Sequence, residues 1–369
     1  MPHAVAASSY PQAPQHPLPV EGKSVAPPLP PSQQPFVSVA LPVYNGAALM
    51  RRALDSVLNQ TYSNWELVVH DNHSTDDTPR IVEEYARRDR RVRHIRLPET
   101  VPMLENFSRT LHQTRGEWVT FMGHDDWLSQ NYLAELVEAV LARPDVAYSF
   151  GLVHAWRLTD GGLVDLGQPP RDDLVLQSDY VLKNLYRVKG LHSYFCLARR
   201  QDLLECFPND TPNPHGLDYT ECWDKLVNVK LLGRYPYSVR RSKAVCHCLD
   251  RPDQCSKRAD RESLPRKAWF DQTVAEASAI SRCYEQIGHA KDARKFLVYF
   301  LMDILSNYIL RPGRRPEDGL AANMRRAIEV CGIRRGEVLA ALAAVPFWTL
   351  HRLARAAGRR LGLIHPHDL

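Results

Sequence analysis

The sequence predicts an α/β protein: a mostly parallel sheet flanked by helices, with a C-terminal helical extension and a disordered, Pro-rich N-terminal tail. Three observations carry this expectation. Between Phe36 and Phe150, short β-rich runs alternate with amphipathic stretches of helical length, the pattern of a parallel sheet with crossover helices on both faces. After Pro265 the strand-like runs cease and long helical stretches follow. Before Phe36 neither period is present.

Residues 1–35 hold ten of the 27 prolines and, among acids and strong bases, only Glu21 and Lys23. Such a segment buries too little apolar area to offset the entropy of ordering it. A domain over 36–260 follows, with strand and helix pairs at Phe36 to Leu41 and Ala47 to Leu58, Trp65 to His70 and Thr78 to Arg88, Val92 to Arg96 and Met103 to His112. Trp118 to Met122, Gln130 to Ala142 and Ala147 to Phe150 continue the series. Residues 151–260 mix strand-like pieces and turns, with one helical stretch from about Tyr219 to Leu232. Residues 261–369 read as helices, over Ala268 to Ile287, Ala290 to Leu310, Pro316 to Val330 and Gly336 to Gly362. Within the last of these, Val338 to Leu350 is apolar and His351, Arg352, Arg355, Arg359 and Arg360 follow. Two readings are open: a helix lying in an anionic membrane surface, which would give the protein peripheral contact there, or an ordinary helix packed on the domain before it. The run is too short to span a bilayer, and Pro346 interrupts it.

A net charge of +5, with 44% hydrophobic and 24% charged residues, excludes fibrous and wholly disordered classes. No stretch of about 18 apolar residues occurs, and the start lacks the basic and apolar regions of a secretory signal, so a cytoplasmic address is expected. Eight cysteines then read as small buried residues or free thiols. Cys246, His247, Cys248 and Cys255 are too closely and singly spaced for a zinc knuckle. The basic excess suits anionic partners in general and does not identify nucleic acid, so no nucleic-acid partner is expected.

In open parallel sheets, ligands sit outside the carboxyl ends of the strands. Three polar segments fall there: Pro42 to Gly46, Asp71 to Asp77 and Gly123 to Asp126. The first is a strand turning through Asn-Gly into a helix. Ser74 to Asp77 could cap the helix that follows, but Asp71 precedes the cap and would sit unpaired at the sheet rim unless a donor, such as the N–H of a base or a ribose hydroxyl, satisfies it. Asp125 and Asp126 are adjacent carboxylates whose repulsion a divalent cation with phosphate oxygens would relieve. Asp126 could serve as a cap, which leaves Asp125 the stronger ligand candidate, and His124 is expected to face solvent.

These segments, in this order and spacing, resemble the family 2 glycosyltransferases, whose fold is the Rossmann-like GT-A domain. The likeness is close over about 36–150 and loose over 151–260. It implies a nucleotide-sugar-binding half (36–150) and an acceptor side (151–260). It also implies that Pro42, Tyr44 and Asn45 lie against the nucleotide, that Asp71 receives the base N–H, and that Asn106 lines the donor pocket. Gly123-His-Asp125-Asp126 stands for the family's metal motif, with Gly123 in place of its first acid, so Asp125 would bind Mn or Mg. Loosely, the segment from Arg240 to Lys257 places His247 near the metal or diphosphate.

The stretch Leu217 to Arg234 is similar to the family's acidic helix start, which supplies the catalytic base. Asp218 and Glu221, three apart on one helical face, are the candidates; the same pair could instead form a capping box. The implied reaction is a single inverting transfer of sugar from a nucleotide-diphospho-sugar to a hydroxyl of a glycan or lipid-linked glycan, in polysaccharide biosynthesis. The sequence lacks the Gln-x-x-Arg-Trp motif of processive synthases. The competing readings are a sugar nucleotidyltransferase, for which the Gly-rich basic phosphate loop is missing, and a non-catalytic homologue that binds nucleotide or glycan.

Overall fold

The computed structural model describes residues 34–142, 148–156, 163–164, 174–176, 196–207, 223–232, 237–248, 266–310 and 319–360. The Pro-rich tail through residue 33, together with Asp218 and Glu221, lies outside the described residues. The chain divides into two compact units. One comprises Met1–Gln177, Gly190–Asn209 and Arg234–Arg251; the other comprises Ser178–Lys189, Asp210–Gly233 and Pro252–Leu369.

The first unit opens with β1 (Val37–Val43), α1 (Met50–Leu58), β2 (Trp65–Asp71), α2 (Thr78–Arg88), β3 (Val92–Arg96), α3 (Met103–Gln113) and β4 (Trp118–Phe121). Every residue of β1, β2 and β4 is buried, as expected of parallel strands covered on both faces. The helices earn their place by spacing: α1 buries Met50, Ala53, Leu54 and Val57, and α2 buries Thr78, Ile81, Val82 and Tyr85, one stripe each at intervals of three and four. The unit continues with β5 (Trp127–Leu128), α4 (Tyr132–Ala142), β6 (Tyr148–Trp156), β7 (Leu163–Val164), β8 (Leu174–Leu176), β9 (Cys196–Arg199), α5 (Arg200–Cys206) and, later in the chain, β10 (Tyr237–Cys248).

The sheet runs β3-β2-β1-β4-β9-β6-β10-β5, with β7 beside β6 and β8 beside β10. Its first four strands are parallel. Beyond β4 it is mixed: β9 runs antiparallel to both β4 and β6, and β6 and β10 pair in parallel. The strand at Tyr148 therefore does not simply extend the parallel series, because β9, from much later in the chain, intervenes. Chain direction across the sheet reverses at β1, whose partners are β2 on one side and β4 on the other, so the crevice past the carboxyl end of β1 is the expected ligand position.

The amino ends of these strands are tied together by a polar knot. Ser38 Oγ donates to Glu66 Oε1 at 2.7 Å, and the Arg115 backbone N–H donates to the same oxygen at 2.7 Å. The Arg93 guanidinium donates to Glu66 Oε2 at 2.8 Å and to the Gln113 carbonyl at 2.8 Å. Gly116 fits here because it has no side chain: a Cβ would stand 2.6 Å from Ser38 N and 2.8 Å from Phe36 O, both backbone atoms that cannot step aside. Gly116→Ala is expected to destabilise the unit by about 1–3 kcal/mol, read as a lower denaturant midpoint with unchanged slope. An unchanged midpoint would show that the β1 backbone yields.

The second unit holds α6 (Trp223–Leu232), α7 (Arg266–Gln286), α8 (Ala290–Leu310), α9 (Gly319–Cys331) and α10 (Arg335–Arg360). α7 packs against α6, α8 and α9, and α8 against α10. The interior includes Val274, Ile280, Leu297, Phe300 and Leu301, with Tyr284 and Phe296 rings 5.9 Å apart. Gly288 and Gly332 end α7 and α9 at φ +83 and +61, and the N–H groups of His289 and Ile333 reach back to the Tyr284 and Ile328 carbonyls, a closure that needs the left-handed conformation glycine adopts freely. α10 runs through Pro346 rather than stopping there. Pro346 is on the exposed side, where water can meet the carbonyl that its missing N–H leaves unpaired. Among the described residues no helix is long and apolar enough to cross a membrane.

Candidate functional site

Three turns leave the carboxyl ends of β1, β2 and β4. Asp71 pairs with Val43 across β1, while Phe121 pairs with Ala40 on the other side. Asp71 and the turn holding Asp125 thus flank the end of β1, two strand spacings or about 10 Å apart across the sheet.

The β1 turn is built on Asn45, which has φ +51, a conformation that Asn tolerates better than most residues. Its neighbour's segment holds it there. The Asn45 N–H donates to Ser74 Oγ at 2.9 Å, Gly46 N–H to Thr78 Oγ1 at 2.9 Å and Ala47 N–H to Asp76 Oδ2 at 3.0 Å. In return the Thr75 N–H donates to Asn45 Oδ1 at 2.8 Å. The run Ser74 to Asp77 therefore does more than cap α2. Asp77, at the cap position, makes no side-chain cap bond, while Ser74, Asp76 and Thr78 accept the N–H groups of the adjacent turn. Local sequence rules see only the helix start; the cross-strand partners come from the parallel pairing of β1 with β2. Pro42 is buried in β1 and Tyr44 is 48% exposed at the rim.

Asp71 is fully buried, and its oxygens differ. Oδ1 accepts the Ser74 N–H at 2.8 Å. Oδ2 lies 3.6 Å from Arg96 Nε and 3.8 Å from His94 Nε2, beyond hydrogen-bond reach, and among the described residues neither Oδ2 nor His94 Nε2 has a hydrogen-bond partner. Burial alone would raise the Asp71 carboxyl. The facing His94 imidazole and the Ser74 hydroxyl and N–H outweigh it, holding the group below the usual carboxylate range and hence ionised near neutrality. His94 and Arg96 went unread in the sequence. The signal was available, since Arg96 is the direct partner of Asp71 in the β2–β3 register.

Asn106 is buried in α3 rather than lying on the helix surface. Its Nδ2 donates to the His70 carbonyl at 3.4 Å, which orients the amide, and its Oδ1 is 2.7 Å from His70 Nδ1. With that orientation the neutral His70 carries its proton on Nδ1. Burial pushes His70 below its ordinary pKa of 6.5, opposed by the Asn106 bond and assisted by Arg109. The folded pKa is thus depressed, so on acidification the unfolded chain takes up this proton first. Stability should be whole above about pH 6.5 and fall below it, before Asp71 titrates. Urea midpoints between about pH 7.5 and 5 should decline, and more steeply than in His70→Gln; equal slopes would remove His70 as the cause.

After β4, the Gly123 N–H donates to Asp126 Oδ2 at 3.2 Å, so buried Asp126 closes its own turn. Asp125 is half-buried. His124 does not simply face solvent: its ring atoms lie 2.8 and 2.9 Å from where a Gly46 Cβ would be, against the β1 turn. The antiparallel ladder pairing Cys246 with Trp127 puts the His247 backbone, one position on, across from Asp126. The topology therefore brings the two residues predicted to hold a metal, Asp125 and His247, to one end of the sheet. Among the described residues, no group of three or more His, Cys, Asp or Glu side chains could hold an ion unaided. Asp125 supplies an oxygen donor of the kind a hard cation takes, with further oxygens left to a bound phosphate ligand.

Residues 38–207 match the family model described as Glycosyl transferase family 2. Over 119 residues the chain is 34% identical to the glycosyltransferase GlyA of Streptococcus pneumoniae, which covers 31% of this chain and 17% of that one. It is 32% identical over 119 residues to a GalNAc(5)-diNAcBac-PP-undecaprenol beta-1,3-glucosyltransferase of Campylobacter jejuni, covering 32% of this chain and 38% of the relative. The aligned part thus spans less than half the length of these curated relatives. The crystal structure of S. aureus TarS shares the fold, at a TM-score of 0.50 and 19% identity over 72% of this chain and 43% of that one. The sheet rim that sets Asp71 and Asp125 on either side of the Asn45 turn lies within residues 38–207, the part of the chain that is similar to glycosyl transferase family 2.

Proposed function

We propose that the chain is an inverting, metal-assisted glycosyltransferase that moves one sugar from a nucleotide-diphospho-sugar to a hydroxyl of a glycan, free or lipid-linked. The observation that carries the reading is Asp71 Oδ2, a buried, ionised acceptor without a hydrogen bond at the carboxyl rim of the sheet. A nucleobase N–H would satisfy it, and the Asn45 turn beside it would take the rest of the nucleoside. Asp125 and His247 would hold an Mg or Mn ion, which would supply positive charge against the charge that the leaving diphosphate gains. Asp218 or Glu221 would take the proton from the acceptor hydroxyl as it attacks the anomeric carbon from the opposite face, which inverts that centre. The name of the Campylobacter jejuni relative specifies a glycan on undecaprenol-PP, which supports a lipid-linked acceptor.

The reading is tested by binding of nucleoside diphosphates to the full chain and to Asp71→Asn. Asparagine keeps an oxygen for the Ser74 N–H but turns an NH2 group toward the ligand's own donor. A hydrogen bond to a charged group contributes about 1.5–3 kcal/mol, so affinity should fall roughly tenfold to a hundredfold with the fold intact. Failure of the unaltered protein to bind any nucleoside diphosphate, or equal binding by the variant, would refute the assignment.

A further inference from the structure

α10 has two faces of opposite character. Ala341 and Val345 are buried, and the Trp348 ring stands 5.9 Å from that of Tyr299 on α8. On the other side Leu339 (66% exposed), Leu342, Phe347 (76%), Leu350 (64%) and Leu353 lie open. Their spacing keeps them on one stripe, and from Leu339 to Leu353 it is about 21 Å long at 1.5 Å per residue. Exposed apolar residues scattered singly need no explanation, but a continuous stripe of this length does.

The surroundings select the occupant. Arg334 and Arg335 are exposed at the start of the helix. Its sequence ends in Arg352, Arg355, Arg359 and Arg360, with no acidic residue after Glu337. Glu337 itself lies 3.7 Å from Arg294. Pairing this face with a second copy, in either sense, would set arginines against arginines, whereas an anionic surface is attracted by both ends at once.

We propose that the outer face of α10 docks on an anionic lipid bilayer, with the axis in the membrane plane, Leu339, Phe347 and Leu350 within the headgroup and acyl boundary, and Arg335 at the phosphates. The inference stands on this face and goes beyond the transferase reading; its test uses no donor and no turnover, so either can fail alone.

The full chain is sedimented with phosphatidylcholine vesicles containing about a third phosphatidylglycerol, and with phosphatidylcholine alone. It should pellet with the anionic vesicles and be released as NaCl rises from about 0.1 to 0.5 M. The exposed pair Phe347→Glu/Leu350→Glu should lower partitioning at least roughly tenfold, and Phe347→Ala/Leu350→Ala by less, with circular dichroism and melting unchanged. Protein left in the supernatant overturns the proposal. So does partitioning that neither pair alters, or a solution dimer that the glutamate pair splits without any vesicle binding.

Discussion

Asp125→Asn should lower turnover about a hundredfold to a thousandfold, the range set by losing one group aimed at charge that develops in the transition state. The neighbouring Asp126→Asn should do much less. Asp126 Oδ2 accepts the Gly123 N–H, a role an asparagine oxygen can fill, whereas the expected role of Asp125 needs a full negative charge. The two substitutions therefore separate a carboxylate that shapes the turn from one that serves the donor. Release of nucleoside diphosphate from a saturating donor is the measurement, with Mn varied. A chelator should bring the unaltered protein down to the level of Asp125→Asn and barely change the variant. Wild-type rates in Asp125→Asn, or indifference of the unaltered protein to chelator, would remove the metal from the mechanism and leave binding through Asp71 as a separate matter.

The parallel half of the sheet was legible because each strand is followed by its own crossover helix, and the periods switch cleanly from continuous apolar runs to stripes at three and four. The mixed half was not. β9 inserts between β4 and β6, and no local pattern announces which distant strand will fill a sheet position. The site shows the same division. Asp71 stood out as an acid at a strand end, and its burial and incomplete bonding agree with that position. The groups around it, His94 and Arg96, come from the neighbouring strand and follow only from register. Ser74 and Asp76 looked like parts of a helix cap because capping is a local rule, yet they accept the N–H groups of Asn45 and Ala47, 29 positions earlier. Asn106 was placed by resemblance at the donor pocket; the structure shows its amide oxygen and nitrogen on His70.

Glu66→Leu should cost about 3–5 kcal/mol, the range for removing one partner of a buried ion pair. Glu66 and Asp71 sit on the same strand, both buried, with the site acid at one end and the structural acid roughly 17 Å away at the other. Satisfaction distinguishes them. Both Glu66 oxygens are occupied, by Ser38 and Arg115 on one and Arg93 on the other, so its charge is spent inside the fold. Leucine there would strand the Ser38 hydroxyl, the Arg115 N–H and the inner part of the Arg93 guanidinium. Glu66→Gln, which keeps an acceptor and loses the charge, should cost less, and pairing it with Arg93→Met should recover part of the loss because no uncompensated cation remains. Guanidinium unfolding at constant slope reads these differences. At temperatures where Glu66→Gln is still folded, its affinity for nucleoside diphosphate should equal that of the unaltered protein, since the knot lies at the amino ends of the strands and Asp71 at the carboxyl end. Weakened nucleotide binding in a folded Glu66→Gln would mean that the two ends of β2 are coupled, and that an unsatisfied carboxylate cannot be read as a ligand site independently of its saturated neighbour.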